Sequence, residues 1–158
     1  MAYEKLQGKR AIAVYPQDDV TVPAPSGLLF SGTTDSTVTD ELADSSAAFN
    51  GGGGTMRVTQ GATVYNTTDG TSAKVLRVED TSLVLSDDIF TTGEDYSIYA
   101  VDNSEGPVLF VGTAGDLTIK TVGGDIVTLL NIGNASFIPM MVREVRSATT
   151  ATDIIAIW

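Results

Sequence analysis

The segment DLTIKTVGGDIVTLL, residues 116–130, sets two short β-branched apolar runs on either side of one Gly123-Gly124 pair. Runs of six or seven residues are too short for a helix that buries a face, and Gly-Gly supplies the positive φ that a tight hairpin turn needs. The same punctuation recurs along the chain. Ala11–Tyr15, Val108–Gly112, Asp116–Val122 and Asp125–Leu130 are β-branched or apolar and are bounded by Gly, Pro or Asp, as strands are. The spans 137–147 (FIPMMVREVRS) and 153–158 (DIIAIW) complete the series. In the first of these, Met141, Arg143 and Val145 share one parity, with Met140, Val142, Glu144 and Arg146 on the other. Neither face is clean, which predicts a bulge or burial on both sides.

The middle of the chain is punctuated differently. Gly51–Gly54 reads as a flexible spacer, because four glycines offer no side chain to pack. Beyond it come a strand, an Asp69-Gly70 turn, and strands over Ala73–Glu79, Leu83–Leu85 and Tyr96–Val101. Within Ala73–Glu79, Lys74, Leu76 and Val78 alternate against Ala73, Val75, Arg77 and Glu79. Turns every 8–12 residues suggest a small barrel or sandwich. One short helix is predicted, over Asp40–Phe49, with Thr39 as its N-cap and acids in its first turn. The fold class expected is therefore all-β: an antiparallel, jelly-roll-like β-sandwich frame carrying an inserted β-rich module, with at most one short helix.

Charge suggests where the insertion lies. At 158 residues the chain has room for one medium domain or two small ones, and its formal net charge is −11. Residues 27–105 carry a net −10, whereas residues 1–26 and 106–158 together carry only −1. This asymmetry predicts a nearly neutral docking frame, 1–26 plus 106–158, and an acidic module, 27–105, that faces solvent. Simple clustering of acids in a polar region is the alternative.

The absences restrict function further. The chain has no cysteine and no histidine, which removes disulfides, thiolate chemistry, cysteine-ligated metals and the commonest proton shuttle. No enzyme activity and no cofactor are expected. The opening MAYEKLQGKR has no apolar h-region, so no signal peptide is expected. No stretch of 18 uncharged apolar residues suits a transmembrane helix. A strongly acidic chain is poorly suited to nucleic acid or to an anionic membrane surface. Gly51–Gly54 and Gly123-Gly124 lack the Lys-Ser/Thr that a phosphate-binding loop requires. Asn66–Thr68 matches a glycosylation sequon, which matters only in a secreted chain. Asp87, Asp88, Glu94 and Asp95 offer oxygen ligands of the kind calcium takes, but not at EF-hand spacing, and solvated loop acids explain them as well.

Three segments carry a resemblance. RAIAVYPQDDVTVPAPS (10–26), GPVLFVGTAGDLTIKTVGGDIVTLLNI (106–132) and IPMMVREVRSATTATDIIAIW (138–158) resemble a family of small phage virion proteins. That family includes capsid decoration (cement) proteins and the head spike base of gene-transfer agents. The shared features are the Tyr/Val-x-Pro-x-Asp start (here Val14-Tyr15-Pro16-Gln17-Asp18), the VGTAGDL-like strand, the Gly-Asp hairpin and the TATDIIAIW-like end. The stretch VYNTTDGTSA (64–73) is similar to a β-rich segment that recurs in phage structural proteins. The resemblance covers about half the chain, and the long insert departs from the usual frame.

The resemblance implies a virion component on the capsid exterior that binds the major capsid protein and forms a homo-oligomer, a trimer in preference to a pentamer. A head-vertex spike base is the nearest alternative. A receptor- or glycan-binding head-fibre or tail adhesin is another, in which Tyr65, Tyr96 and Tyr99 stack on sugars or simply fill a core. Lys5, Lys9 and Arg10 form either a capsid-contacting arm or a polar lead-in to the first strand. Apolar residues at both parities of the C-terminal run place Ile155, Ile157 and Trp158 either in the core or in a subunit seam.

Overall fold

The computed structural model describes residues 8–52, 56–102 and 105–158. It is all-β and antiparallel, with thirteen strands among the described residues and a 3₁₀ turn at Pro25–Gly27. The chain divides into two compact units, one formed by residues up to Pro25 and from Asp102 onward, the other by Ser26–Val101.

The first unit is a two-sheet sandwich. One sheet holds β1 (Ala11–Ala13), β13 (Thr152–Ile157), β8 (Val108–Thr113) and β11 (Ser136–Ile138), in that order. The other holds β10 (Ile126–Ile132), β9 (Gly115–Thr121) and β12 (Val142–Val145). The first strand therefore pairs with the last, Ala11 opposite Ile157 and Ala13 opposite Ile155. Alternation sends Leu109, Val111, Ile154, Ala156 and Ile138 inward from one sheet, to meet Leu117, Ile119, Val142 and Val145 from the other. The hairpin at Gly123-Gly124 closes β9 onto β10, with Gly124 at φ 98°.

The span 137–147 holds two strands in different sheets, β11 and β12, joined across Pro139–Met141. Pro139 has no N–H to donate and the chain changes sheet there, which is why its alternation reads as mixed. A further register shift lies between Val142 and Glu144. Glu144 thereby faces Lys120 on the side of the sheet away from the core. The segment before the insertion runs along β12, with Gln17 N donating to Val145 O (2.9 Å) and Val22 N to Arg143 O (2.8 Å). Arg146 joins Glu144 (3.1 Å), Asp18 (3.2 Å) and Asp19 (3.7 Å), while Lys120 holds the other Glu144 oxygen at 3.0 Å.

The second unit is one six-stranded sheet in the order β2 (Leu28–Thr33), β7 (Asp95–Tyr99), β4 (Thr63–Asn66), β5 (Thr71–Val78), β6 (Ser82–Leu85) and β3 (Glu41–Ala43). It curls until its edges touch, since Asp35 N, just past β2, donates to Ala43 O at 3.0 Å. Val64, Ala73, Val75, Leu83, Leu85 and Ile98 fill the interior, joined from the loops by Phe49, Val58 and Phe90. Phe49 meets Phe30 and Tyr96 edge-to-face, with ring centroids 5.4 and 6.1 Å away.

The helix expected over Asp40–Phe49 does not form, and Thr39 caps nothing. Glu41–Ala43 is strand β3, with Leu42 buried and paired to Leu83. Asp44 then turns the chain, its Oδ1 accepting from Ser46 N (2.9 Å) and Ser46 Oγ (2.6 Å). Such local side-chain bonds compete with helix formation, and here they win.

β5 departs from simple alternation. Val75 pairs with Leu85 and Arg77 with Val84, so Leu76 is the extra residue of a bulge. Ala73 and Val75 point inward before it and Val78 after it, while Leu76 and Arg77 both face solvent. A second bulge lies between Leu129 and Ile132 in β10, where Asn131 sits at φ 54° and Leu130 is turned outward.

Candidate interaction surfaces

The outer face of the four-stranded sheet is apolar. Inward-facing Ile154 and Ala156 leave Ile155 and Ile157 on the opposite side of β13. The strand register sets Ala13, Ile155, Phe110 and Phe137 in one row across all four strands. Ala11, Ile157 and Val108 form the adjacent row. Phe137 lies on the edge strand and is 44% exposed; Phe110, Ile155 and Ile157 are half-buried. Trp158 packs partly against the sandwich core, and its indole N–H is buried with no acceptor among the described residues. Of the three C-terminal residues, then, Trp158 belongs to the core margin, and Ile155 and Ile157 to the outer face.

Sequence inspection missed Phe110 and Phe137. A signal existed: Val108–Val111 is apolar at both parities, as a strand covered on both faces would be.

Lys9 and Arg10 stand at the rim of this face. Lys9 N and Arg10 N both donate to Trp158 O, and Trp158 N returns a bond to Arg10 O (3.0 Å), so the backbone here is an extension of the β1–β13 ladder. Both side chains are exposed. Lys5 lies outside the described residues, as do Gly53 and Gly54 of the glycine run.

The loop acids are dispersed by different partners. Asp87 accepts from Ser86 Oγ (2.7 Å), Asp88 from Asp40 N (3.4 Å) and Asp95 from Thr33 Oγ1 (2.7 Å). Glu94 accepts from Thr91 N (2.7 Å) and from the buried Asn66 amide (2.9 Å). The Thr91 N–H chiefly holds the Glu94 carboxyl below its usual range, and the Glu94 charge pushes the neighbouring Asp69 carboxyl up. Among the described residues no group of three or more acids is placed to hold a metal ion.

Of the tyrosines named for sugar stacking, only Tyr96 belongs to the core of the second unit. Tyr65, Tyr96 and Tyr99 are all buried, and Tyr65 and Tyr99 pack edge-to-face with centroids 5.5 Å apart. Tyr96 OH donates to Asp44 Oδ2 at 2.7 Å. Burial, then the Asp44 charge, pushes the phenol pKa well above its usual value. Burial pushes Asp44 up, but the bonds from Ser46 and Tyr96 outweigh it and hold the carboxyl below its usual range.

Comparison with protein-family models, curated proteins and solved structures finds no match to the chain. Among the described residues no helix is long and apolar enough to cross a membrane.

Proposed function

We propose that the protein is a non-enzymatic virion structural subunit that decorates a phage capsid, binds the outer surface of the major capsid protein and bridges neighbouring capsid subunits. The observation that supports this most is the apolar row Ala13–Ile155–Phe110–Phe137 on the outer face of the four-stranded sheet. A sheet face of β-branched and aromatic side chains gains stability by leaving water, and a rigid sheet presents it in a fixed geometry suited to a repeated contact. In this reading Ile155 and Ile157 lie in a homotrimer seam, and Lys9 and Arg10 at its rim meet acidic groups of the capsid. The resemblance of the frame segments to decoration proteins supplies the class. Burial of Tyr65, Tyr96 and Tyr99 weighs against an adhesin that stacks sugars on those rings.

The test is to mix purified protein with capsids assembled without it and to image the particles. Density repeating across the outer shell supports the reading. Density at vertices alone replaces it with a spike base, density on the tail with an adhesin, and unbound protein refutes it.

A further inference from the structure

The acidic second unit contains one hollow of the opposite character. Ser26–Val101 holds eleven acids and three bases, yet two of the bases, Arg57 and Arg77, line the same open hollow of about 330 Å³. Thr59 and Gln60 stand beside them, the half-buried Val78 and the buried Val58 form its base, and among the described residues that line it none carries a carboxylate.

The fold makes this arrangement deliberately local. Consecutive strand residues normally face opposite ways, but the β5 bulge turns both Leu76 and Arg77 to solvent. The opposing segment is held by Val58, whose side chain is fully buried and whose N–H bonds Phe49 O (2.9 Å), and by Gly61 N on Val75 O (2.8 Å). Arg57 has no ion-pair partner among the described residues. Arg77 meets Glu79 at 2.7 Å, with both side chains well exposed. An exposed pair of this kind is weak enough for a ligand anion to displace. Leu76, 43% exposed, adds an apolar wall.

We propose that this hollow binds a carboxylated sugar, such as a uronic acid residue within a glycan. Guanidinium groups pair in bidentate fashion with carboxylates, the Gln60 amide and Thr59 hydroxyl suit sugar hydroxyls, and Leu76 accepts the C–H face of a pyranose ring. Two neighbours of this chemistry are disfavoured. A peptide strand would need a free sheet edge, but β5 is paired on both sides, with β4 and β6. A dense polyanion such as nucleic acid would meet the unit's net −8, so a ligand with sparse charge fits better. The site belongs wholly to the second unit and does not depend on the capsid reading.

The experiment is titration of the full chain with tri-galacturonic acid at low salt, followed by amide chemical shifts and calorimetry. The methyl-esterified trimer and inorganic tripolyphosphate serve as comparison ligands. The acidic trimer is expected to bind with shifts centred on residues 57–60 and 76–78. Arg57→Gln and Arg77→Gln should each weaken it at least fivefold, and Lys74→Gln, which removes the unit's third base, by less than twofold. Four outcomes would overturn the proposal: no binding, equal binding of the ester, tighter binding of tripolyphosphate, or a Lys74→Gln loss as large as that of Arg57→Gln. Because the substituted arginines are exposed, unchanged amide dispersion will show that the variants fold.

Discussion

Replacing Glu144 by Ala tests how the two ends of the chain are tied together. The Glu144 side chain is 6% exposed, with one oxygen 3.0 Å from Lys120 and the other 3.1 Å from Arg146. Arg146 in turn reaches Asp18 on the segment before the insertion, and Asp18 accepts from Ser147 N at 3.1 Å. Removing the central carboxylate leaves two cations side by side, only 29% and 18% exposed. Breaking a buried pair from one side costs about 3–5 kcal/mol. Arg146 keeps Asp18 and Lys120 retains some water, so the lower end applies, about 3 kcal/mol. For a unit of about 80 residues that corresponds to a fall in Tm of roughly 12–24 °C. Urea unfolding followed by far-UV circular dichroism measures it, with the midpoint falling and the slope m unchanged. A double-mutant cycle with Lys120→Met isolates the pair, and its coupling energy should exceed about 1 kcal/mol. A loss for Glu144→Ala below about 0.5 kcal/mol would mean that the carboxylate behaves as a surface charge, and the clamp would be refuted.

Three further outcomes follow from the second unit and from β9. Leu85→Ala should cost about 2–5 kcal/mol while Leu76→Ala stays within about 0.5, because the bulge leaves only the first of these leucines in the core; urea midpoints compare them. Asp44 is held below its ordinary pKa in the folded state, so its contribution is complete above the unfolded value near 4 and is lost as pH falls through the folded value. Asp44→Asn should therefore flatten the acid limb of the stability–pH curve, and an unchanged acid limb would contradict the assignment. Gly115→Ala should destabilise the sandwich severely, because a Cβ there would collide with the backbone nitrogen of Ala151; thermal melting reads the loss.

Much of the architecture was legible in the sequence, for identifiable reasons. Gly123-Gly124 and Asp69-Gly70 mark turns through backbone freedom, a strictly local property, and both sit between paired strands. The bulges at Leu76 and near Asn131 were not legible, since an extra residue in a strand is fixed by its partner and reverses every facing after it. Asp40–Phe49 misled because acids in a first turn fit a helix start, whereas Asp44 accepts from the residues after it and turns the chain instead. β2 passed unnoticed because LLFSGT shows no clean alternation, as suits an edge strand half open to water. The same dependence on register limits the interaction surfaces. Ile155 and Ile157 could be named from the apolar C-terminal run, but the row of Ile155 with Phe110 and Phe137 exists only once β13, β8 and β11 are aligned. The Arg57–Arg77 hollow likewise exists only because the bulge turns Arg77 outward.

The most direct test of the account's homotrimer seam, formed by the apolar row, is the mass of the purified protein in solution, by light scattering after size exclusion, beside that of Phe137→Asp. Phe137 is exposed on an edge strand, so the charge can be introduced without disturbing the sandwich core. The account predicts a trimer, three times the 16.5 kDa chain, that dissociates to folded monomers when Phe137 becomes Asp. A wild-type monomer at tens of micromolar, or a trimer indifferent to the substitution, would contradict it.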